Sequence, residues 1–240
     1  MASGEDRPGA WAAAFREGVH VARLNATPAA IVIAGIVSLV IGYYHIPAVA
    51  HALHGLMELK LRWGLVFAFV VGGISSGVIA EIYIVLFGRG GRWTPTNTYH
   101  LLFKFGLFGI SYMIVDGLYW TQAQIFGEAL TWRVVVPKVL VDQFIFNPLW
   151  AAPFQGGMLF LMHRGFSKEE VCAAFTMTFY RKHILPVLVS TWFVWIPSVT
   201  CVYCLPLPLQ LPVCLMTGMF WGLILASLSL RSAQRQDDAA

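Results

Sequence analysis

Charge is scarce in this sequence. Only 12% of its 240 residues are Asp, Glu, Lys or Arg, against roughly a quarter in soluble domains, while 58% are hydrophobic and the mean hydropathy is +0.69. A water-soluble fold cannot hide that much apolar surface. Cysteine is scarce too: Cys172, Cys201, Cys204 and Cys214 are too few, and too apolar in setting, for a secreted disulfide scaffold. The chain lacks a Ser/His/Asp arrangement, and its histidines, His45, His51 and His54 included, have no spacing that fixes a metal. In Gly88 to Thr98 the glycines follow no strand and precede no Gly-Lys-Ser/Thr, so they make a connection, not a phosphate cradle. No enzymatic activity, cofactor or metal is therefore expected. The formal charge of +4 forms no single patch, so nucleic acid is not an expected partner. Residues 1–28 mix Arg7, Arg16 and Arg23 with Glu5, Asp6 and Glu17, unlike an acid-poor transit peptide, and no cleavable address is expected.

What is abundant is long apolar sequence. Blocks at about 29–46, 63–87, 101–122, 138–162, 184–204 and 213–230 approach or exceed the length needed to cross about 30 Å of hydrocarbon at about 1.5 Å per residue. The expected fold is all-α, a polytopic transmembrane bundle of about six segments, or five if 184–204 is re-entrant. Residues 1–28 read as a polar lead, 29–62 as a first span and loop, 63–230 as the main bundle and 231–240 as a polar tail. With six spans, Lys60, Arg62, Arg133 and Lys138 are the only four of 16 Lys and Arg on one side. The positive-inside rule then places both termini on the cytosolic side.

Polar residues inside apolar blocks carry the functional expectations. Gly73, Gly77 and Glu81 recur every fourth residue, a close-packing stripe ending in a carboxylate that either enters the bundle or reaches the interface. Gly218 and Gly222, with Ala226, form a second stripe. Lys104 stands where its side chain can snorkel, and Asp116 lies deeper among Tyr112, Tyr119 and Trp120. In the fourth block Asp142, Gln143 and Asn147 precede Pro148 and Pro153, whose missing N–H groups would free the carbonyls of Phe144 and Leu149. Glu81, Asp116, Asp142, Gln143 and Asn147 are thus the candidate lining of a polar path, or else buried interhelical glue. Ser167 followed by Glu170 marks the start of a short interfacial helix.

The stretch from Val189 to Pro208 is the segment around which other helices should pack. It carries Trp192, Trp195 and the helix-breaking Pro197, which would free the Phe193 carbonyl, and it ends in Pro206 and Pro208. Cys201 and Cys204 have the spacing of a redox pair, which keeps a membrane thiol oxidoreductase as a minor alternative, although no Lys or Arg lies between His183 and Arg231 to stabilise a thiolate.

From about Trp63 to Ser229 the chain resembles the Mpv-seventeen and 22-kDa peroxisomal membrane protein family. The resemblance rests on DQFIFNP (Asp142 to Pro148), Gly165 followed by Glu169/Glu170, the Trp192, Trp195, Pro197 run, Pro206 or Pro208, and Trp221 before Leu225 and Ser227. The chain departs from it in having Ile196 between Trp195 and Pro197, and no Arg after the later prolines. The resemblance implies a divergent helical member with an added N-terminal span, in a mitochondrial inner or peroxisomal membrane, with a bacterial or other cell membrane as the alternative. It also implies channel-like, weakly selective passage of small solutes, or regulation of permeability, without enzymatic activity. Its expected partners are the lipid bilayer, small solutes and a second copy in a homo-oligomer. A structural or assembly protein that transports nothing is the competing class.

Overall fold

The computed structural model describes residues 9–88 and 90–237, with side chains described as far as residue 223. Among the described residues it is helical, with no strand. In chain order the helices are α1 (Ala10–Leu24), α2 (Ala26–His45), α3 (Pro47–Trp63), α4 (Leu65–Gly88), α5 (Pro95–Phe126), α6 (Trp132–Arg164), α7 (Lys168–Ala174), α8 (Met177–Tyr203) and α9 (Leu207–Asp237). Five of them, α2, α4, α5, α6 and α8, are long and apolar enough to cross a membrane; Leu207–Leu223 of α9 is a shorter apolar stretch. An all-α bundle with apolar helices of this length fits an integral membrane protein in contact with lipid. The 184–204 block is the body of α8, a continuous 27-residue helix.

Two segments differ from the sequence expectation. Residues 10–24 of the polar lead form α1, and the link after α2 is the 17-residue helix α3. The physical reason for α1 is a stripe of small residues, Ala14, Gly18 and Ala22, buried along its contact with α8. A Cβ at Gly18 would lie 2.6 Å from the Val189 Cβ and 2.7 Å from the Pro186 carbonyl, so only glycine permits this approach. Three Arg and three acids in the surrounding sequence hid that stripe.

Within hydrocarbon, helix association draws on close packing and interhelical hydrogen bonds, because lipid tails already solvate apolar side chains. The glycines of α4 show this. A Cβ at Gly73 would come within 2.6 Å of the Phe105 carbonyl oxygen and one at Gly77 within 2.8 Å of the Lys104 carbonyl carbon; reciprocally, one at Gly109 would meet the Phe69 carbonyl at 2.9 Å. Gly218 packs beside the Tyr112 hydroxyl, but a Cβ at Gly222 would meet nothing within 4 Å, so the second stripe is not a continuous contact face. Ala226 lies outside the described side chains.

α8 touches α1, α2, α6 and α9, which makes it the shared neighbour expected of the Val189 to Pro208 stretch. Its C-terminal half supplies Val199, Val202 and Tyr203 to the main core, with Phe67, Tyr119, Leu209 and Leu215 from α4, α5 and α9. Pro197 does not break it: Leu185–Tyr203 stays α-helical through that residue. Trp221 packs with Ala29, Val32 and Val194 in a second core, and Trp195 bridges the two cores. Pro206 sits in the turn to α9 and its carbonyl accepts the Leu209 N–H at 2.8 Å.

Candidate functional site

The site is built on a change of helical pitch. From Asp142 to Ala151, α6 is π-helical, with each backbone N–H reaching back five residues instead of four; the Ala152 N–H donates to the Asn147 carbonyl. A wider turn moves the carbonyl that each proline orphans. Pro148 then frees Gln143, not Phe144, and Pro153 frees Pro148, not Leu149. Both are capped from α8: the Trp192 indole N–H donates to the Gln143 carbonyl at 2.9 Å, and the Tyr180 hydroxyl to the Pro148 carbonyl at 3.1 Å. The sequence expectation placed these orphans one residue too late because it assumed α-helical pitch.

Between this segment and α8 lies a cleft of about 300 Å³. Its polar lining includes Asp142, Gln143, Asn147, Gln155, His183 and Thr191, among Tyr112, Phe146, Val187 and Trp195. Lining residues on α8 run from His183 to Val199, about 24 Å at about 1.5 Å per residue, most of a hydrocarbon thickness. Toward His183 the cleft adjoins a second cavity, with which it shares Gly156, Leu159, His183 and Ile184. At the other extreme it stops against a hydrogen-bonded chain. Gln122 Nε2 donates to the Tyr203 hydroxyl at 2.9 Å, and that hydroxyl donates to Asp142 Oδ2 at 2.8 Å. Gln143 Nε2 donates to Asp142 Oδ1 at 3.0 Å, and Asn147 Nδ2 reaches Gln143 Oε1 at 3.5 Å. The Tyr119 ring packs edge-on to Tyr203 at 5.3 Å, so the closure is aromatic as well as polar.

Of the five candidate lining residues, the structure brings three together. Asp142, Gln143 and Asn147 share the cleft. Glu81, only 2% exposed, belongs to a separate cluster: it accepts from Lys104 Nζ at 2.6 Å and from Asn97 Nδ2 at 2.9 Å, with His100 Nδ1 at 3.7 Å. Lys104 therefore neutralises a buried carboxylate instead of reaching outward. Asp116 is paired with Lys60 of α3 at 2.9 Å and does not line the cleft. Both pairs tie one helix to another, α4 to α5 and α3 to α5.

Several participants escaped the sequence reading. Gln122 and Gln155 carried a visible signal, an amide inside an apolar block, whereas Tyr203 carried none, since tyrosine at a helix end is ordinary for a membrane interface. Lys138 is 1% exposed, its ammonium 5.7 Å from the Tyr203 ring centroid, and no carboxylate lies within 4 Å of it among the described residues. It belongs to the closed end of the cleft. Cys201 and Cys204 are free thiols, and burial pushes the Cys204 thiol above its ordinary range, the opposite of an activated thiolate.

Among the described residues, no group of three or more His, Cys, Asp or Glu could hold a metal ion. Comparison with known proteins finds no matching family model, curated protein or solved structure.

Proposed function

We propose that this membrane protein provides a channel-like, weakly selective passage for small solutes, or regulates such permeability, in the manner implied by its resemblance to the Mpv-seventeen and 22-kDa peroxisomal membrane protein family. The observation that carries the proposal is the cleft between α6 and α8, mostly apolar but carrying Gln143, Asn147, Gln155, His183 and Thr191 along most of a hydrocarbon thickness, and stopped by Asp142, Tyr203 and Gln122. A purely structural helix pair would fill that volume with side chains, since lost packing is costly. π-Helical turns keep the cleft open while Trp192 and Tyr180 satisfy the backbone it exposes. In this proposal the Tyr203 chain is the shut end of the passage, the solutes are small and polar, and the membrane is mitochondrial or peroxisomal.

The test is solute release from proteoliposomes. Wild-type protein should leak small polar solutes slowly, and Tyr203→Phe, which keeps the ring but removes both hydrogen bonds, should raise the rate several-fold. Absence of leak from wild type, Tyr203→Phe and Tyr203→Ala alike would end the proposal. The Glu81–Lys104 and Lys60–Asp116 ties favour a second reading, a structural or assembly protein in which polar residues are interhelical glue. Stable co-purification with a partner, together with an inert Tyr203 series, would support that reading instead.

A further inference from the structure

The cavity that adjoins the cleft has a different chemistry. It measures about 350 Å³ and lies between the C-terminal turns of α6 and the first turns of α8, lined by Phe160, His163, Arg164, Phe179, His183 and Ile184, with Gly156 and Leu159. Among the described residues, no carboxylate lines it. The Arg164 guanidinium stands 5.9 Å from the Phe160 ring centroid, and Phe179 and His183 pack with ring centroids 4.9 Å apart. One cation and two exposed imidazoles thus rim a pocket whose floor is aromatic and aliphatic.

Its place in the bundle is equally specific. His163 packs against His100 at 4.9 Å, near the start of α5, and Tyr180 lies 6.5 Å from Trp11 of α1. The pocket is therefore at the end of the bundle shared by α1, the start of α5 and α7, the side that would hold 12 of the 16 Lys and Arg with six spans and 10 with the five helices long enough to cross. An interfacial pocket with a basic rim and an apolar floor matches a phospholipid entering from that leaflet. Its phosphate would accept hydrogen bonds from the planar Arg164 guanidinium and from an imidazole N–H of His183, while the glycerol and first methylenes lie on Phe160 and Phe179. Basic pockets between transmembrane helices on the positive side are a recurrent setting for acidic headgroups.

We propose that the pocket between the end of α6 and the start of α8 binds the headgroup of an anionic phosphoglyceride. This does not depend on the passage of solutes, because a structural membrane protein would hold the same lipid.

The full chain should be purified from vesicles containing equal phosphatidylglycerol and phosphatidylcholine, and the lipid that stays bound measured by native mass spectrometry. Both lipids offer the same phosphodiester, but the choline cation of phosphatidylcholine is repelled by the Arg164 guanidinium, so wild type should retain phosphatidylglycerol over phosphatidylcholine by about tenfold. Arg164→Gln/His183→Gln should abolish the preference, and Lys168→Gln, on the same side but outside the pocket, should keep it. If the double variant does not fold, His183→Gln alone should reduce the preference. Equal retention of the two lipids by wild type, or a preference unchanged in every pocket variant, would overturn the proposal. Displacement of the bound lipid by millimolar glycerol 3-phosphate would overturn it too, by assigning the pocket to a soluble phosphate.

Discussion

Gly73 and Gly222 look alike in the sequence, each set in an apolar run four residues from another glycine. Their surroundings separate them. Gly73→Leu would drive a side chain into the Phe105 backbone and should cost at least about 1–3 kcal/mol, whereas Gly222→Ala should change stability by less than about 0.5 kcal/mol. Thermal denaturation in detergent compares the two directly, and equal losses would contradict the packing described for α4 and α5. The Glu81–Lys104 pair invites a double-mutant cycle. Lys104→Met strands a carboxylate that is 2% exposed and should cost about 3–5 kcal/mol, much of it recovered in Glu81→Gln/Lys104→Met because neither charge then remains buried. Additive losses would mean that the pair is not coupled. At this scale the identity of the polar residues was legible, because a carboxylate in an apolar block stands out. Which partner each would find was not: Glu81, Asp116 and Asp142 pair with residues 23, 56 and 61 positions away in the chain.

The element that decides the site is the π-helical part of α6. Its sequence, with Pro148 and Pro153 five residues apart, announces a disturbed helix, and the choice of π pitch follows from what α8 can supply. Trp192 and Tyr180 reach the carbonyls that lie five residues before each proline, not four. Trp192→Phe removes the indole donor and should destabilise the protein by about 1–3 kcal/mol by leaving the Gln143 carbonyl unpaired at membrane depth. Pro148→Ala in the same background restores a backbone N–H and should recover most of that loss. The sum of two independent losses in the double variant, measured by reversible unfolding, would refute the link between proline and indole. Propensity alone could not have identified this geometry, since the α and π patterns differ only by one residue in the reach of each backbone hydrogen bond.

For the whole molecule, the distribution of Lys and Arg predicts which loops share a side of the membrane. In a background whose four native cysteines are replaced, a membrane-impermeant maleimide should label Gly91→Cys and Ser167→Cys from one side and Ala129→Cys from the other. Labelling of positions 129 and 167 from the same side would mean that α6 does not cross. The bundle also accounts for α1: its buried stripe is Ala14, Gly18 and Ala22, which packs closely because those residues are small, while the larger apolar side chains Trp11 and Phe15 stay exposed.

The amino-acid sequence by itself determined that this chain is a bundle of apolar helices, because hydrocarbon admits a spanning backbone only when each span satisfies its own N–H and C=O groups. It determined equally that Asp142, Gln143 and Asn147 fall together, since they occupy one short segment of one helix. Only the tertiary structure decided that Glu81 and Asp116 leave that group, that Tyr203 and Gln122 join it, and that a cleft remains between α6 and α8. Those outcomes depend on distances between helices, which are set by glycine contacts and by the pitch of α6, and neither is a property of any one segment.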